Sequence, residues 1–479
     1  MLLIFVAKQI LMTAIKFGTD GWRAIIAREY TVDNVARVAV ATAQWMNQKF
    51  QNPTAIVGFD CRFGGQMFAE TAAKVLAQGG VKVFLTEEFA STPMVSLATV
   101  RKKADVGVVI TASHNPPEYN GYKLKAAYGG PMLTADVDEV EALIPDFHGL
   151  DLAAIRLDEL VKAGKVEYFD AHTMYMDHVQ NSFDLDAIRN SGLNFAYDAM
   201  YGAGRRVMRE LFPDITFLHT DENPGFEGVA PEPILRNLSQ LTETIQLSED
   251  IDCAIATDGD ADRIGMFDSK GNFVDAHHII LLLIKYLAEE KGMKGKVITA
   301  FSCSAKVEKL AKHLGLEQIT TKIGFKYVCE YLIQGGFLLG GEESGGMAIQ
   351  GHIPERDGIW IGLTIWEYMA KSGKTLEELI QDLYDVVGPF SFERIDLHLE
   401  EAQKQKVMAD CASGSIKELG GKAVLRVDDT DGYKFFFSED EWLMIRPSGT
   451  EPVLRTYCES TSSEEAIKTL KAAHAQLLK

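Results

Sequence analysis

Short apolar runs and amphipathic stretches alternate along most of the chain. The pattern predicts a strand at 55–59, a helix at about 66–77 stopped by Gly79-Gly80, and strands at 81–85 and 106–111. A second cycle has strands at 193–197 and 216–219 around a helix at about 205–211, and ends on a strand at 251–257. A third has a strand at 296–299, helices near 304–313 and 325–333, and a strand at 337–339. Three such cycles predict α/β domains, with loops of candidate chemistry at the carboxyl ends of the strands. After Gly388-Pro389 the pattern changes to strands at 392–399, 423–427, 434–437 and 442–445, followed by a terminal helix. Ser462 and Glu465 stand at capping-box spacing before that helix, and Ala466, Leu470, Ala473 and Leu477 share one of its faces. A smaller α+β domain is expected there.

A chain of 479 residues is too long for one core, and three or four domains are expected. Hydrophobic residues make up 47% and charged residues 24%, so no segment reads as disordered. The net charge of −20 disfavours nucleic acid and anionic membrane as partners, and an anionic ligand would need a locally basic pocket. Six widely spaced cysteines form no zinc or redox motif, which fits reduced thiols in a cytoplasmic protein. Residues 1–11 begin with an apolar run too short to span a bilayer, with neither a basic lead nor a cleavage pattern. They read either as an extension before Met12 or as a short first strand.

Four loops carry the chemistry. Ser113 lies between the apolar run 106–110 and Pro116-Pro117, so the chain must turn sharply there, and His114, Asn115 and Lys123 supply donors nearby. A lone turn serine usually bonds its own backbone, whereas this donor density suits an anion. Asp258, Asp260 and Asp262 alternate with Gly259 and Ala261, and side chains on a flat strand would stand too far apart for one Mg2+. The segment is therefore expected to curl, with Gly259 permitting the bend. A calcium hand fails, because Arg263 and Ser269 occupy the positions that need glycine and glutamate. A solvated acidic turn is the ordinary alternative.

Gly341-Glu-Glu-Ser-Gly-Gly346 offers acceptors on flexible backbone, as sugar hydroxyls require, although glycine-rich turns with glutamate are common. Arg446-Pro-Ser-Gly-Thr450, with Arg455 shortly after, reads as a phosphate nest or as an ordinary hairpin with a surface arginine. Tyr201-Gly-Ala-Gly-Arg-Arg206 lacks the third glycine of a dinucleotide loop, having Val207 there, and a nicotinamide site is rejected.

Taken in order, these loops resemble those of the α-D-phosphohexomutase superfamily, the phosphoglucomutases and phosphomannomutases, from Phe17 to the end of the chain. The resemblance implies four domains around a central cleft: 12–162 with a phosphoserine loop, 163–273 with a metal loop, 274–388 with a sugar-binding loop, and 389–479 with a phosphate-binding loop. The first three would be similar three-layer α/β/α units and the last a smaller α+β domain. It further implies Ser113 as phosphoserine and Mg2+ ligand beside Asp258, Asp260 and Asp262, with His114, Lys123, Arg23 and Arg263 around the transferred group. Lys123 is the candidate general acid or base. Lys326, Glu342 and Ser344 would bind the sugar, and Arg446, Ser448, Gly449, Thr450 and Arg455 the phosphate not in reaction.

The implied activity interconverts hexose 1-phosphate and hexose 6-phosphate through a hexose 1,6-bisphosphate, which serves as intermediate and activator. Glucose is favoured, with mannose or dual use next and glucosamine after them. Gly346 stands where phosphomannomutase-like relatives often carry histidine, and the run Thr111 to Pro117 differs from the pattern usual in phosphoglucosamine mutases. A phosphoserine-forming phosphohydrolase and a non-enzymatic sugar-phosphate sensor are the competing classes. The oligomeric state, monomer or homodimer, is left open.

Overall fold

The computed structural model describes residues 14–248, 250–447 and 453–478. Residues 1–11, and Ser448, Gly449 and Thr450 of the expected phosphate nest, lie outside the described residues. The chain forms two compact units. The first comprises the chain up to Ser182 with Asp198–Asn237 and Thr257–Asp262, and the second comprises Phe183–Tyr197, Leu238–Ala256 and everything from Arg263 onward.

In the first unit six strands lie side by side in the order Trp22–Ile25, Tyr119–Ala126, Val106–Ile110, Thr54–Phe59, Lys82–Thr86, Val166–Phe169. The last four run parallel, and Tyr119–Ala126 turns back antiparallel to Val106–Ile110. Val106–Ile110 is buried throughout, as expected of a near-continuous apolar run covered on both faces. From Thr54–Phe59 the chain moves to Lys82–Thr86 on one side and then to Val106–Ile110 on the other. That reversal opens a crevice beyond the carboxyl ends of 54–59 and 106–110, where open α/β sheets take their ligands. Residues 60–62 and 111–118 follow those ends directly.

The helix Thr92–Arg101 has no counterpart in the predicted elements. Ser91 caps it and Pro93 occupies its first turn, yet 92–99 are all buried, so no polar face marks it as a helix.

In the second unit Phe273–Val274, Ile264–Asp268 and the strand portions 253–256 and 195–197 are successive neighbours. A further sheet orders Gln318–Thr321, Lys296–Ala300 and Phe337–Gly341 in parallel, with Met347–Ile349 returning antiparallel. The C-terminal sheet is antiparallel, in the order Ser391–His398, Val453–Ser460, Trp442–Pro447, Tyr433–Phe436, Arg426–Asp428. Its core includes Phe435, Leu443, Ile445 and Leu454, packed with Ala466, Leu470, Ala473 and Leu477 of the terminal helix Ser463–Leu477. The expected strand at 423–427 is two pieces: Lys422–Ala423 pairs with Glu418–Leu419, and Arg426–Asp428 with Tyr433–Phe436. The chain changes partner between them, and Leu425 is 69% exposed rather than alternating inward.

Three α/β sheets and a C-terminal α+β domain are therefore present. The six cysteines are free thiols. Among the described residues no helix is long and apolar enough to cross a membrane.

Candidate active site

Ser113 sits at the crevice of the first unit, buried, with its backbone in the left-handed region at φ 52°. Non-glycine residues take that conformation at a cost of about 1–3 kcal/mol, which persists where surrounding contacts enforce it. Its Oγ donates to Asp258 Oδ2 at 2.8 Å and lies 3.2 Å from His114 Nδ1. Arg23 Nη1 donates to Asn115 Oδ1 at 2.7 Å, which brings the second predicted cation to the same loop.

The carboxylates of Asp258, Asp260 and Asp262 are fully buried, each with an oxygen within 4.8 Å of the others. The expected curl is present, but a different residue makes it. Ala261 takes the left-handed conformation at φ 56°, and Gly259 is needed for close approach instead. A Cβ at Gly259 would lie 2.6 Å from the Ser113 carbonyl oxygen, and one at Gly202 would lie 2.7 Å from the Asp258 carbonyl oxygen. The Tyr201-Gly-Ala-Gly segment, rejected above as a nucleotide loop, thus packs directly on the acidic turn.

Lys123 Nζ is buried and contacts Asp20 and Asp260 at 2.8 Å and Asp262 at 3.1 Å. Thr92 Oγ1 donates to Asp260 Oδ2 at 2.6 Å. Asp20 also lies 3.7 Å from both Arg23 and Lys125, so the Phe17 to Arg23 segment positions cations as well as supplying one. Asp20, Thr92 and Lys125 are not among the residues the sequence singles out. Asp20 lies three residues before the predicted Arg23, whereas nothing local marks Thr92. Three buried carboxylates this close together repel one another, and the hard, all-oxygen donor set fits a small divalent cation.

The second unit carries the remaining described residues that the sequence singles out. Glu342 to Gly346 is the hairpin between Phe337–Gly341 and Met347–Ile349, closed by Glu342 N–H donating to the Gly346 carbonyl at 3.0 Å. Glu342 is buried and accepts from Gly324 N–H at 2.9 Å, just before Lys326 in the first turn of Phe325–Leu332. Arg263, expected around the transferred group, pairs in a β-bridge with Gly346. Gly346 has no side chain for a packing reason, since a Cβ would lie 2.4 Å from Arg356 Cδ. Arg356 is not predicted, because nothing in the Pro354-Glu-Arg-Asp357 run marks it as facing this loop. Ser344 is half-buried in the same hairpin.

Burial pushes the Glu342 carboxyl up to about 7, reinforced by Glu343 and opposed by Arg356 and Arg263. A carboxyl raised in the folded state favours folding while it holds its proton. Its stabilising contribution is therefore complete below the ordinary value of 4.5 and lost as pH rises towards about 7. In ligand-free protein, Glu342→Gln should gain stability relative to wild type across that window. Melting temperatures measured at several pH values check this, and a constant difference between the two proteins would contradict it.

Arg446 and Arg455 stand directly opposite each other on neighbouring strands. Like charges so placed repel unless an anion is shared. Asp431 partly offsets them: its Oδ1 accepts from Arg446 Nε at 3.0 Å, and its Oδ2 accepts from Ile323 N–H at 2.9 Å. One carboxylate therefore ties the expected phosphate grip to the Ile323 to Lys326 segment.

Family models for phosphoglucomutase/phosphomannomutase match in sequence order: α/β/α domain I at residues 14–147, domain II at 173–271, domain III at 275–387 and the C-terminal domain at 396–477. The chain belongs to the phosphoglucomutase/phosphomannomutase family. It is thus a member of the α-D-phosphohexomutase superfamily and a mutase, an enzyme of the isomerase class. A phosphoglucomutase/phosphomannomutase of Thermococcus kodakarensis is 30% identical over 465 residues, covering 95% of this chain and 96% of the relative. A phosphoglucosamine mutase of Carboxydothermus hydrogenoformans is 28% identical over 459 residues, covering 94% and 96%. A crystal structure from Thermus thermophilus, whose protein bears a provisional phosphomannomutase name, superposes with a TM-score of 0.85 at 31% identity, covering 98% of this chain and all of that one. Phosphohexomutases of different sugar specificity are thus almost equally similar to this one.

Proposed function

We propose that the protein interconverts hexose 1-phosphate and hexose 6-phosphate through a phosphoserine at Ser113, with glucose as its preferred sugar and mannose as a second substrate. The observation that carries this is the 2.8 Å contact between the strained, buried Ser113 hydroxyl and a buried triad of aspartates. In the forward half, the Ser113 Oγ–P bond breaks as phosphorus bonds to a sugar hydroxyl oxygen, which gives up its proton. After the hexose 1,6-bisphosphate turns around, its other phosphoryl returns to Ser113 and that sugar oxygen regains a proton. Lys123 is the proposed proton carrier, held at the triad by its contacts with Asp260 and Asp262. His114 and Arg23 meet the charge of the transferring group, and Arg263 joins them in this role.

Asp258, Asp260 and Asp262, with an oxygen of the Ser113-borne phosphoryl, would hold Mg2+, which supplies charge neutralisation when bound. Glu342, Ser344 and Lys326 are proposed to bind the sugar, and Arg446, Ser448, Gly449, Thr450 and Arg455 the phosphate not in transfer.

For the sugar, burial holds the Glu342 carboxyl up at about 7 despite the two guanidinium groups beside it, and a carboxyl that keeps its proton suits the hydroxyls of a neutral hexose. Glucosamine phosphate is the second reading, favoured by the adjacent Glu342 and Glu343, which could face an ammonium. Phosphorus NMR of purified enzyme with Mg2+, a trace of glucose 1,6-bisphosphate and each sugar 1-phosphate in turn tests this. Glucose 6-phosphate should form fastest, with a kcat/KM at least about 10-fold above that for glucosamine phosphate. Preference for the amino sugar would shift the assignment to the second reading. Steady release of inorganic phosphate in place of isomer would indicate a hydrolase.

A further inference from the structure

One buried cation of the first unit is used by no step of that reaction. Arg62, three residues beyond the strand Thr54–Phe59, has a side chain with no exposed surface. Its guanidinium donates to four carbonyls of a single loop. Nη1 reaches the Pro116 oxygen at 3.0 Å and the Tyr119 oxygen at 3.2 Å, and Nη2 reaches the Asn115 oxygen at 2.7 Å and the Ser113 oxygen. Nε pairs with Asp60 Oδ2 at 3.3 Å, and the plane lies over the Phe226 ring at 4.9 Å.

Asp60 extends the same hold to the other side of the Ser113 peptide. It accepts from Arg62 N–H at 3.0 Å and from Thr111 Oγ1 at 2.6 Å, while Thr111 Oγ1 accepts from Ser113 N–H at 2.8 Å. The N–H and the C=O of Ser113 are thus both tied, through Thr111 and through Arg62, to one ion pair at the carboxyl end of the neighbouring strand.

We infer that Arg62, with Asp60 and Thr111, is a positioning residue that holds the Ser113 loop in the shape phosphoryl transfer requires. Three observations converge on it. Ser113 is held at a positive φ that a serine does not adopt for local reasons. Four loop carbonyls turn their negative ends onto a cation, so they are not left to oppose an anion carried by the serine. The segment contains Pro116 and Pro117, which have no N–H with which to fix its shape by backbone bonds. A guanidinium is the side chain suited to this, because its planar fork reaches several acceptors at fixed angles, whereas an ammonium acts as a point charge. The inference rests on the proposed role of Ser113, so its test is arranged to separate the two.

Wild type is first incubated with glucose 1,6-bisphosphate and Mg2+, and phosphorylation of Ser113 is followed by peptide mass spectrometry. If wild type turns over without that modification, the phosphoserine reading fails, and with it the purpose assigned to Arg62. If wild type is modified, Arg62→Lys is compared with it. The expected result is a folded protein with kcat lowered about 100-fold, KM changed by less than about threefold, and Ser113 phosphorylation slowed in step with kcat. Arg62→Ala should regain activity when guanidinium ion is added at millimolar concentration. Should the Arg62 variants fail to fold, Thr111→Val keeps the shape of the side chain but removes the acceptor for Ser113 N–H, and is expected to lower kcat about 10-fold. A folded Arg62→Lys within threefold of wild type in kcat and phosphorylation rate would overturn the inference, as would a Thr111→Val loss of less than twofold.

Discussion

Ser113→Ala is expected to lose roughly 10^4-fold or more in kcat, because the proposed relay carries the phosphoryl on that hydroxyl. The same change should cost little in folding. Alanine fills nearly the same space, and the removed Oγ–Asp258 contact is one hydrogen bond, a loss of about 1–3 kcal/mol and a melting shift of a few degrees at most. Kinetics with glucose 1-phosphate beside a thermal melt measure both quantities. An inactive but folded variant supports the relay, and an active one excludes it. The expected split between activity and stability sets this residue apart from Gly259, where any side chain would press on the Ser113 carbonyl oxygen.

Removal of the divalent cation is expected to have the next largest effect. Treatment with a chelator should reduce turnover to about 1% or less, and added Mg2+ should restore it. The stability readout separates wild type from a triad variant. Wild type holds three buried carboxylates against Lys123 and should gain several degrees of melting temperature when Mg2+ is supplied at about 100 times its dissociation constant. Asp262→Asn removes one of the three like charges. In chelator it should melt no lower than wild type, and it should gain little from Mg2+. A triad variant that is destabilised in chelator yet fully stabilised by Mg2+ would mean that the carboxylates are structural and the ion binds elsewhere.

The strands bearing chemistry were legible because each ends in a dense polar loop after an apolar run. The runs 55–59, 106–110 and 253–257 are buried strands, and Ser113 and the aspartates follow the carboxyl ends of two of them. What escaped the sequence shares one physical character: it is contact between distant segments. Arg62 and Thr92 act through partners 51 and 168 residues away, and neither stands in a recognisable pattern. The helix Thr92–Arg101 was hidden by its own burial, since periodicity needs a polar face to show. Gly259 was picked out for the right loop but for a different reason, with Ala261 taking the turn. Arg356 could not be foreseen, because the space left by Gly346 is defined only once the two are packed together.

The central claim is that Ser113 itself carries the phosphoryl group between the two ends of the sugar. Its most direct test is peptide mass spectrometry of the enzyme after brief exposure to glucose 1,6-bisphosphate and Mg2+, and again after addition of excess glucose 1-phosphate. The peptide containing Ser113 should gain one phosphoryl group and pass it on as glucose 1,6-bisphosphate forms. An enzyme that isomerises the sugar phosphate with Ser113 unmodified throughout, or with the phosphoryl group on another residue, would contradict the account.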